Sequence, residues 1–160
     1  MTSKELELAL DNAEDAFQRT PENPEVGLEY VTDPAILQLR KACRLLDAAR
    51  FLFERNGHFT VIIEVSFVAI ERSIQFYVED KGYDVAGQRH TEVYGLAVQA
   101  GLFSQEVADR FEALWVENRS ESYYRTGIAG EYRAKTIHGL AKKLHQEVVE
   151  LTRTQDCLCK

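Results

Sequence analysis

Cysteine and proline are scarce in this chain, with three of each among 160 residues, and there is one tryptophan and one methionine. Cys43, Cys157 and Cys159 are too few and too unevenly placed for a disulfide framework, which points to a reducing cytoplasm. So little proline, with nine glycines, excludes collagen-like and low-complexity chains. Long hydrophobic runs are also missing. The most apolar stretch, Phe59 to Ile70, is broken by Glu64 and falls well short of the roughly 20 residues that cross a bilayer. The first residues, Met1-Thr2-Ser3-Lys4-Glu5-Leu6-Glu7, are acidic where a secretory leader is basic and then apolar, so export is not expected. No Gly-x-Gly-x-x-Gly, Walker-type or Gly-x-Ser-x-Gly run occurs, which sets aside the common nucleotide and serine hydrolases.

Basic charge is in deficit overall, with 19 Lys and Arg against 26 Asp and Glu, a net of −7. Bulk charge alone therefore does not hold this protein on nucleic acid. The deficit is concentrated at one end. Residues 1–32 carry eight acids and two bases, whereas the last 42 residues, from Arg119, carry eight bases and five acids.

Apolar residues recur at helical spacing through most of the chain. Ser3 is placed to cap a first helix, with Leu6, Leu10, Ala13 and Phe17 on one face, and Pro21 to Thr32 reads as a loop and linker. Asp33-Pro34 opens a second helix that runs to Asn56-Gly57. From His58 to Lys81 apolar residues cover more than one face, as in a central bundle helix. The β-branched run Thr60-Val61-Ile62-Ile63 also suits a short strand, but the pattern continues without a turn and its length favours helix. A short helix follows over His90–Ala100, another starts at Ser104, and a last one spans Ala129–Arg153 with Tyr132, Ile137, Ala141, Leu144, Val148 and Leu151 as its buried face. Long amphipathic helices on short turns predict an all-α, antiparallel four- to five-helix bundle over residues 33–160, preceded by an acidic helix and linker over 1–32.

The most unusual composition lies at Leu114-Trp115-Val116-Glu117-Asn118-Arg119-Ser120-Glu121-Ser122-Tyr123-Tyr124-Arg125. Arg119 shares a helical row with Trp115 and Ser122, and a partly buried guanidinium needs a carboxylate; Glu71, inside the most apolar helix, is the expected partner. Such a pair acts either as a register lock or as part of an anion site. On the last helix Lys135, His138, Lys142 and His145 step by three, four and three onto one face, either a track for phosphates or an ordinary solvated surface. His138 and His145 stand about 10 Å apart along the axis, too far to grip one metal together. Cys157-Leu158-Cys159 is a weak metal or redox signal by itself. Neither a metal nor a cofactor is expected.

Three segments, Ala48 to Phe59, Ala69-Ile70-Glu71-Arg72-Ser73-Ile74-Gln75-Phe76 and Asn118-Arg119-Ser120-Glu121-Ser122-Tyr123-Tyr124, resemble in order and spacing the HEPN superfamily, the higher eukaryotes and prokaryotes nucleotide-binding domain. The resemblance spans about residues 35–152. It implies a helical bundle that forms a homodimer, and a role as a metal-independent RNase of toxin-antitoxin or defence systems, as the partner of a nucleotidyltransferase-fold protein, or as a non-catalytic module. Catalytic members carry an Arg and a His with four to six residues between them. Arg119 matches the arginine, but Tyr124, Arg125 and Thr126 occupy the histidine's positions, and a tyrosine titrating near pH 10 is a poor proton shuttle at neutrality.

The expectation is therefore a module that binds nucleotide, RNA or a protein partner. Arg119 is its anion contact, Glu71 orients that arginine, Tyr123 and Tyr124 stack or donate hydroxyls, and Arg125 adds charge at the rim. The alternatives are an active endoribonuclease, in which His90 or His138 reaches Arg119 in space, and a structural dimer subunit. The acidic first helix either completes the bundle or lies over the basic C-terminal face and competes with phosphate.

Overall fold

A computed structural model describes residues 3–55, 57–87, 89–119 and 128–159. It contains six helices: α1 (Lys4–Gln18), α2 (Pro34–Glu54), α3 (Phe59–Asp80), α4 (Glu92–Gln99), α5 (Gln105–Glu117) and α6 (Glu131–Thr152). No strand occurs among the described residues, so the fold is all-α and Thr60-Val61-Ile62-Ile63 is helical.

Local chemistry sets the boundaries. The Asp33 carboxylate accepts from the backbone N–H groups of Ala35 and Ile36, with Pro34 in the first turn of α2. Ser104 caps α5 through the N–H of Val107, and Ser3 caps α1 through that of Leu6. These side chains satisfy amide groups that a helix start leaves without partners. At the end of α3, Gly82 takes a φ of +87° and lets the Tyr83 N–H return to the Val78 carbonyl at 3.1 Å. Gly101 does the same after α4, with Leu102 bonding Ala97 at 2.9 Å. The left-handed step costs glycine little, and it stops each helix sharply.

The central helix is α3. It folds back along α2 and also packs against α6 and α4, while α5 packs on α4. Its residues Ile62, Ile63, Phe67, Ile70, Ile74, Phe76 and Val78 are all buried, which is why its apolar residues cover more than one face. Leu39, Ala42, Leu46 and Ala49 of α2, Ala134, Ile137, Ala141, Leu144 and Val148 of α6, and Val93, Tyr94, Ala97, Ala108 and Phe111 of α4 and α5 extend that core.

Two expectations change. Tyr132 is 82% exposed and Leu151 is also exposed, so the buried face of α6 is shorter than its apolar pattern. No residue of α1 is buried, so its face of Leu6, Leu10 and Phe17 does not complete the bundle core. The expected linker, residues 21–32, is held to α2 near its middle: Arg40 of α2 donates to the Gly27 carbonyl at 3.1 Å, and Arg44 stands 3.9 Å from Glu25.

Candidate functional site

Two polar centres flank α3, and each takes one of its buried polar residues. The first lies towards α4 and α5. Glu64 and Glu71 are seven residues apart on α3, two turns, and so share a face. The Glu64 carboxylate accepts from Asn118 Nδ2 at 2.7 Å through one oxygen and meets Arg119 Nη2 at 3.5 Å through the other. Arg119 lies over the Trp115 ring, its guanidinium carbon 5.2 Å from the centroid, an arrangement that adds cation–π attraction.

The ion pair expected between Arg119 and Glu71 is therefore corrected. Arg119 meets the acid two turns earlier, and Glu71 binds His90, with Oε2 2.7 Å from Nδ1. Arg119 still influences Glu71 through its charge. Burial pushes the Glu71 carboxyl above its ordinary range, while His90, Arg72 and Arg119 oppose that rise. The His90 ring stacks on Trp115, with centroids 6.0 Å apart at 23°. Its side chain is 62% exposed whereas Glu71 is 5% exposed. A buried carboxylate thus holds one face of an accessible imidazole, and that imidazole shares the Trp115 ring with an arginine. Tyr123, Tyr124 and Arg125 lie outside the described residues.

Lys135, His138, Lys142 and His145 of α6, expected on one face as either a phosphate track or a solvated surface, do not form one surface. Lys135 is exposed and pairs with Glu131 at 2.6 Å. His138 is half-buried against Phe53 of α2, with centroids 5.5 Å apart; burial lowers its pKa and neighbouring Lys142 lowers it further. His145 is 3% exposed and belongs to the core side of the helix. The three-four-three spacing drifts around the helix, and its last member crosses to the interior.

The second centre is built around that histidine. Ser73 Oγ lies 2.9 Å from His145 Nδ1. On the other side of the ring, Nε2 is 3.4 Å from Cys43 Sγ, 3.4 Å from Cys157 Sγ and 3.3 Å from Cys159 Sγ. Cys43 Sγ and Cys157 Sγ are 3.5 Å apart, and all four ligand-type atoms lie within 4.8 Å of one another. Three segments meet here: Cys43 from α2, His145 from α6, and the segment that follows α6.

That last segment is held in place by Arg40, whose Nε donates to the Asp156 carbonyl at 3.3 Å and whose Nη2 meets the Asp156 carboxylate at 3.4 Å. The Leu158 N–H donates to Cys43 Sγ at 3.3 Å. Hydrogen bonds from Cys159 and Cys43 pull the Cys157 thiol far below the usual thiol range against its burial, and the bond to Cys157 drives Cys159 upward. Burial disfavours a charge on His145, but its bonds to Cys157 and Cys43 outweigh that and raise its pKa to about 9. Along the sequence the Cys157 and Cys159 pair and the His138 and His145 pair stand as separate candidates; the fold brings Cys43 and His145 to the two tail cysteines. Spacing along the chain cannot reveal such a set, because its members come from three distant segments.

An open cavity of about 620 Å³ lies at the start of α2 and the end of α3, lined by Asp33, Gln38, Arg72, Gln75, Glu79 and Tyr83 among others. It shares no lining residue with either centre. Arg72 within it is already bonded to Gln38 at 3.0 Å and Gln75 at 2.8 Å. No helix among the described residues is long and apolar enough to cross a membrane.

No curated protein and no solved structure matches this chain. The model of one family does match it, over residues 1–159, and the chain belongs to that family, described as a domain of unknown function, DUF8154.

Proposed function

We propose that this protein is a HEPN-like helical module that binds a phosphate-bearing ligand, RNA or a nucleotide, at the centre formed by Arg119, Trp115 and His90. The observation that carries the reading is the shared Trp115 ring, with a guanidinium over it at 5.2 Å and an exposed imidazole stacked at 6.0 Å. A guanidinium for phosphate beside an exposed planar imidazole on which a base can stack is a combination that single-stranded nucleic acid uses. Glu64 and Asn118 hold the arginine, and Glu71 holds the histidine. A second copy of the chain, or a nucleotidyltransferase-fold protein, is the partner that this reading expects at the site.

A specific observation also favours the endoribonuclease alternative. With Nδ1 engaged by Glu71, His90 presents Nε2 outward, the arrangement of a general base oriented by a buried carboxylate. In that reaction Nε2 takes the proton of an RNA 2′-hydroxyl, the 2′ oxygen attacks the adjacent phosphorus, and the 5′ oxygen leaves and is protonated by water. Arg119 would stabilise the phosphate charge as it develops.

One experiment separates these readings. Labelled single-stranded RNA is incubated with the protein in EDTA, and binding is measured by anisotropy and cleavage by gel. Binding lost in Arg119→Ala without cleavage supports the module. Cleavage lost in His90→Asn supports the enzyme. RNA binding that is unchanged in Arg119→Ala rejects the module, cleavage that is unchanged in both variants rejects the enzyme, and the absence of both binding and cleavage rejects both readings.

A further inference from the structure

We propose that Cys43, His145, Cys157 and Cys159 bind one zinc ion in a closed four-ligand site that fastens the C-terminal segment to α2 and α6. Zinc bound by three thiolates and one imidazole is tetrahedral, with Zn–S near 2.3 Å and Zn–N near 2.0–2.1 Å; such a tetrahedron has S–S edges of about 3.8 Å and N–S edges of about 3.6 Å. The observed separations of 3.3–3.5 Å between Nε2 and the sulfurs and between Cys43 and Cys157 lie within a few tenths of those edges. Sulfur-rich tetrahedral donors with one imidazole favour zinc over the hard cations, which take oxygen.

Further features of the centre match such a site. Ser73 Oγ meets the ring nitrogen opposite the sulfurs, which directs Nε2 to the ion; with the ion on Nε2, the Nδ1–H donates to that hydroxyl oxygen. The Leu158 N–H donates to Cys43 Sγ at 3.3 Å and fixes that sulfur's position towards the histidine. The backbone is shaped for the purpose as well. Cys157 and Cys159 both bring their sulfurs to the histidine, while the Leu158 side chain between them lies beside Gly27. A β-carbon at Gly27 would stand 2.5 Å from Leu158 Cδ1, and Gly27 has a φ of +88°. Glycine there leaves room for the segment to close.

A buried histidine satisfied by a serine and a nearby thiol is a common core feature and needs one cysteine. It does not account for a second and a third sulfur brought to the same nitrogen from a chain end. Four protein ligands leave no position for substrate, so the site is structural. It stands apart from the Arg119 centre and does not depend on how that centre functions.

The test uses the full chain, purified under reducing conditions, stripped of metal and titrated with Zn²⁺ or Co²⁺. Native mass spectrometry should find one zinc per chain, and Co²⁺ should give the intense visible bands of tetrahedral thiolate coordination. Cys159→Ser replaces an exposed residue and leaves the core intact; it should weaken zinc binding at least tenfold and shift the cobalt spectrum. Cys43→Ser should do so more strongly, with helical content checked by circular dichroism. Failure of the reduced chain to take up either ion overturns the proposal. So does zinc binding that is unchanged in Cys159→Ser, or a disulfide among these cysteines in protein handled under reducing conditions throughout.

Discussion

Ser73 Oγ lies 2.9 Å from Nδ1 of His145, and two residues earlier on the same helix Glu71 Oε2 lies 2.7 Å from Nδ1 of His90. One helix thus orients two imidazoles, one buried among thiols and one exposed beside a tryptophan. Residues i and i+2 on a helix point about 200° apart, so α3 serves a centre on each flank through neighbouring positions.

Removing the Ser73 hydroxyl tests the buried member of that pair. Ser73→Ala should weaken zinc binding by about 10–100-fold, the usual effect of losing an outer hydrogen bond to a ligating histidine. Competition against a chelator reads the change. Thermal unfolding of the metal-free protein reads any general loss of stability, and an unchanged affinity would show that His145 needs no such orientation.

At the exposed centre, Arg119→Ala should weaken RNA binding and flatten its dependence on salt by about one unit of slope, as expected for one lost phosphate contact. Anisotropy titrations at several salt concentrations measure both. A parallel downward shift with unchanged slope would mean that Arg119 supports the fold and not the ligand.

The helices were legible in the sequence because their signals are local. Asp33-Pro34, Ser104 and the glycines at 82 and 101 mark helix ends within a few residues, and the crowded apolar face of α3 announced its central place. The partner of Arg119 was not legible at the same level. Glu64 and Glu71 both interrupt the apolar run two turns apart, and choosing between them requires knowing where α5 crosses α3. The cysteine centre is the extreme case, since Cys43 lies 102 residues from His145 in the chain and only the path of the last segment unites them. His145 misled in the other direction, because regular spacing with Lys142 and His138 suggested a surface that the helix rotation takes inward.

The protonation of Glu71 gives a pH dependence. Burial is the largest influence and raises its pKa above the ordinary 4.5, with His90, Arg72 and Arg119 opposing. The folded chain therefore holds that proton more tightly than the unfolded chain. The resulting stability is fully present below pH 4.5 and is lost as pH rises through the raised value. Glu71→Gln lacks this titration, so it should gain stability relative to the native chain as pH rises from 4.5 towards neutrality. Urea unfolding at a series of pH values checks it, and a gap that narrows instead would show that the His90 bond outweighs burial.

The core prediction is larger. Ile70 is fully buried on α3, and Ile70→Ala should cost about 2–5 kcal/mol through lost apolar contact and the cavity left behind. Denaturant unfolding of the metal-free protein measures it free of any contribution from bound ion, and a loss under 1 kcal/mol would mean that α3 repacks.

Deleting residues 1–19 asks what α1 does. None of its residues is buried, so the unfolding free energy should change by no more than about 0.5 kcal/mol. The segment carries five acids and two bases, and its removal takes negative charge away from a molecule proposed to bind RNA. If α1 acts only through its field, the deletion should strengthen RNA binding at low salt, and the gain should fade near 0.15 M, where the screening length is about 8 Å. A helix lying directly across the Arg119 centre would behave differently, because contact between charges is screened far less than repulsion through solvent. A gain in affinity that persists at high salt would therefore assign α1 as a competitor seated on the site, and its loss with salt assigns it as a detached acidic arm.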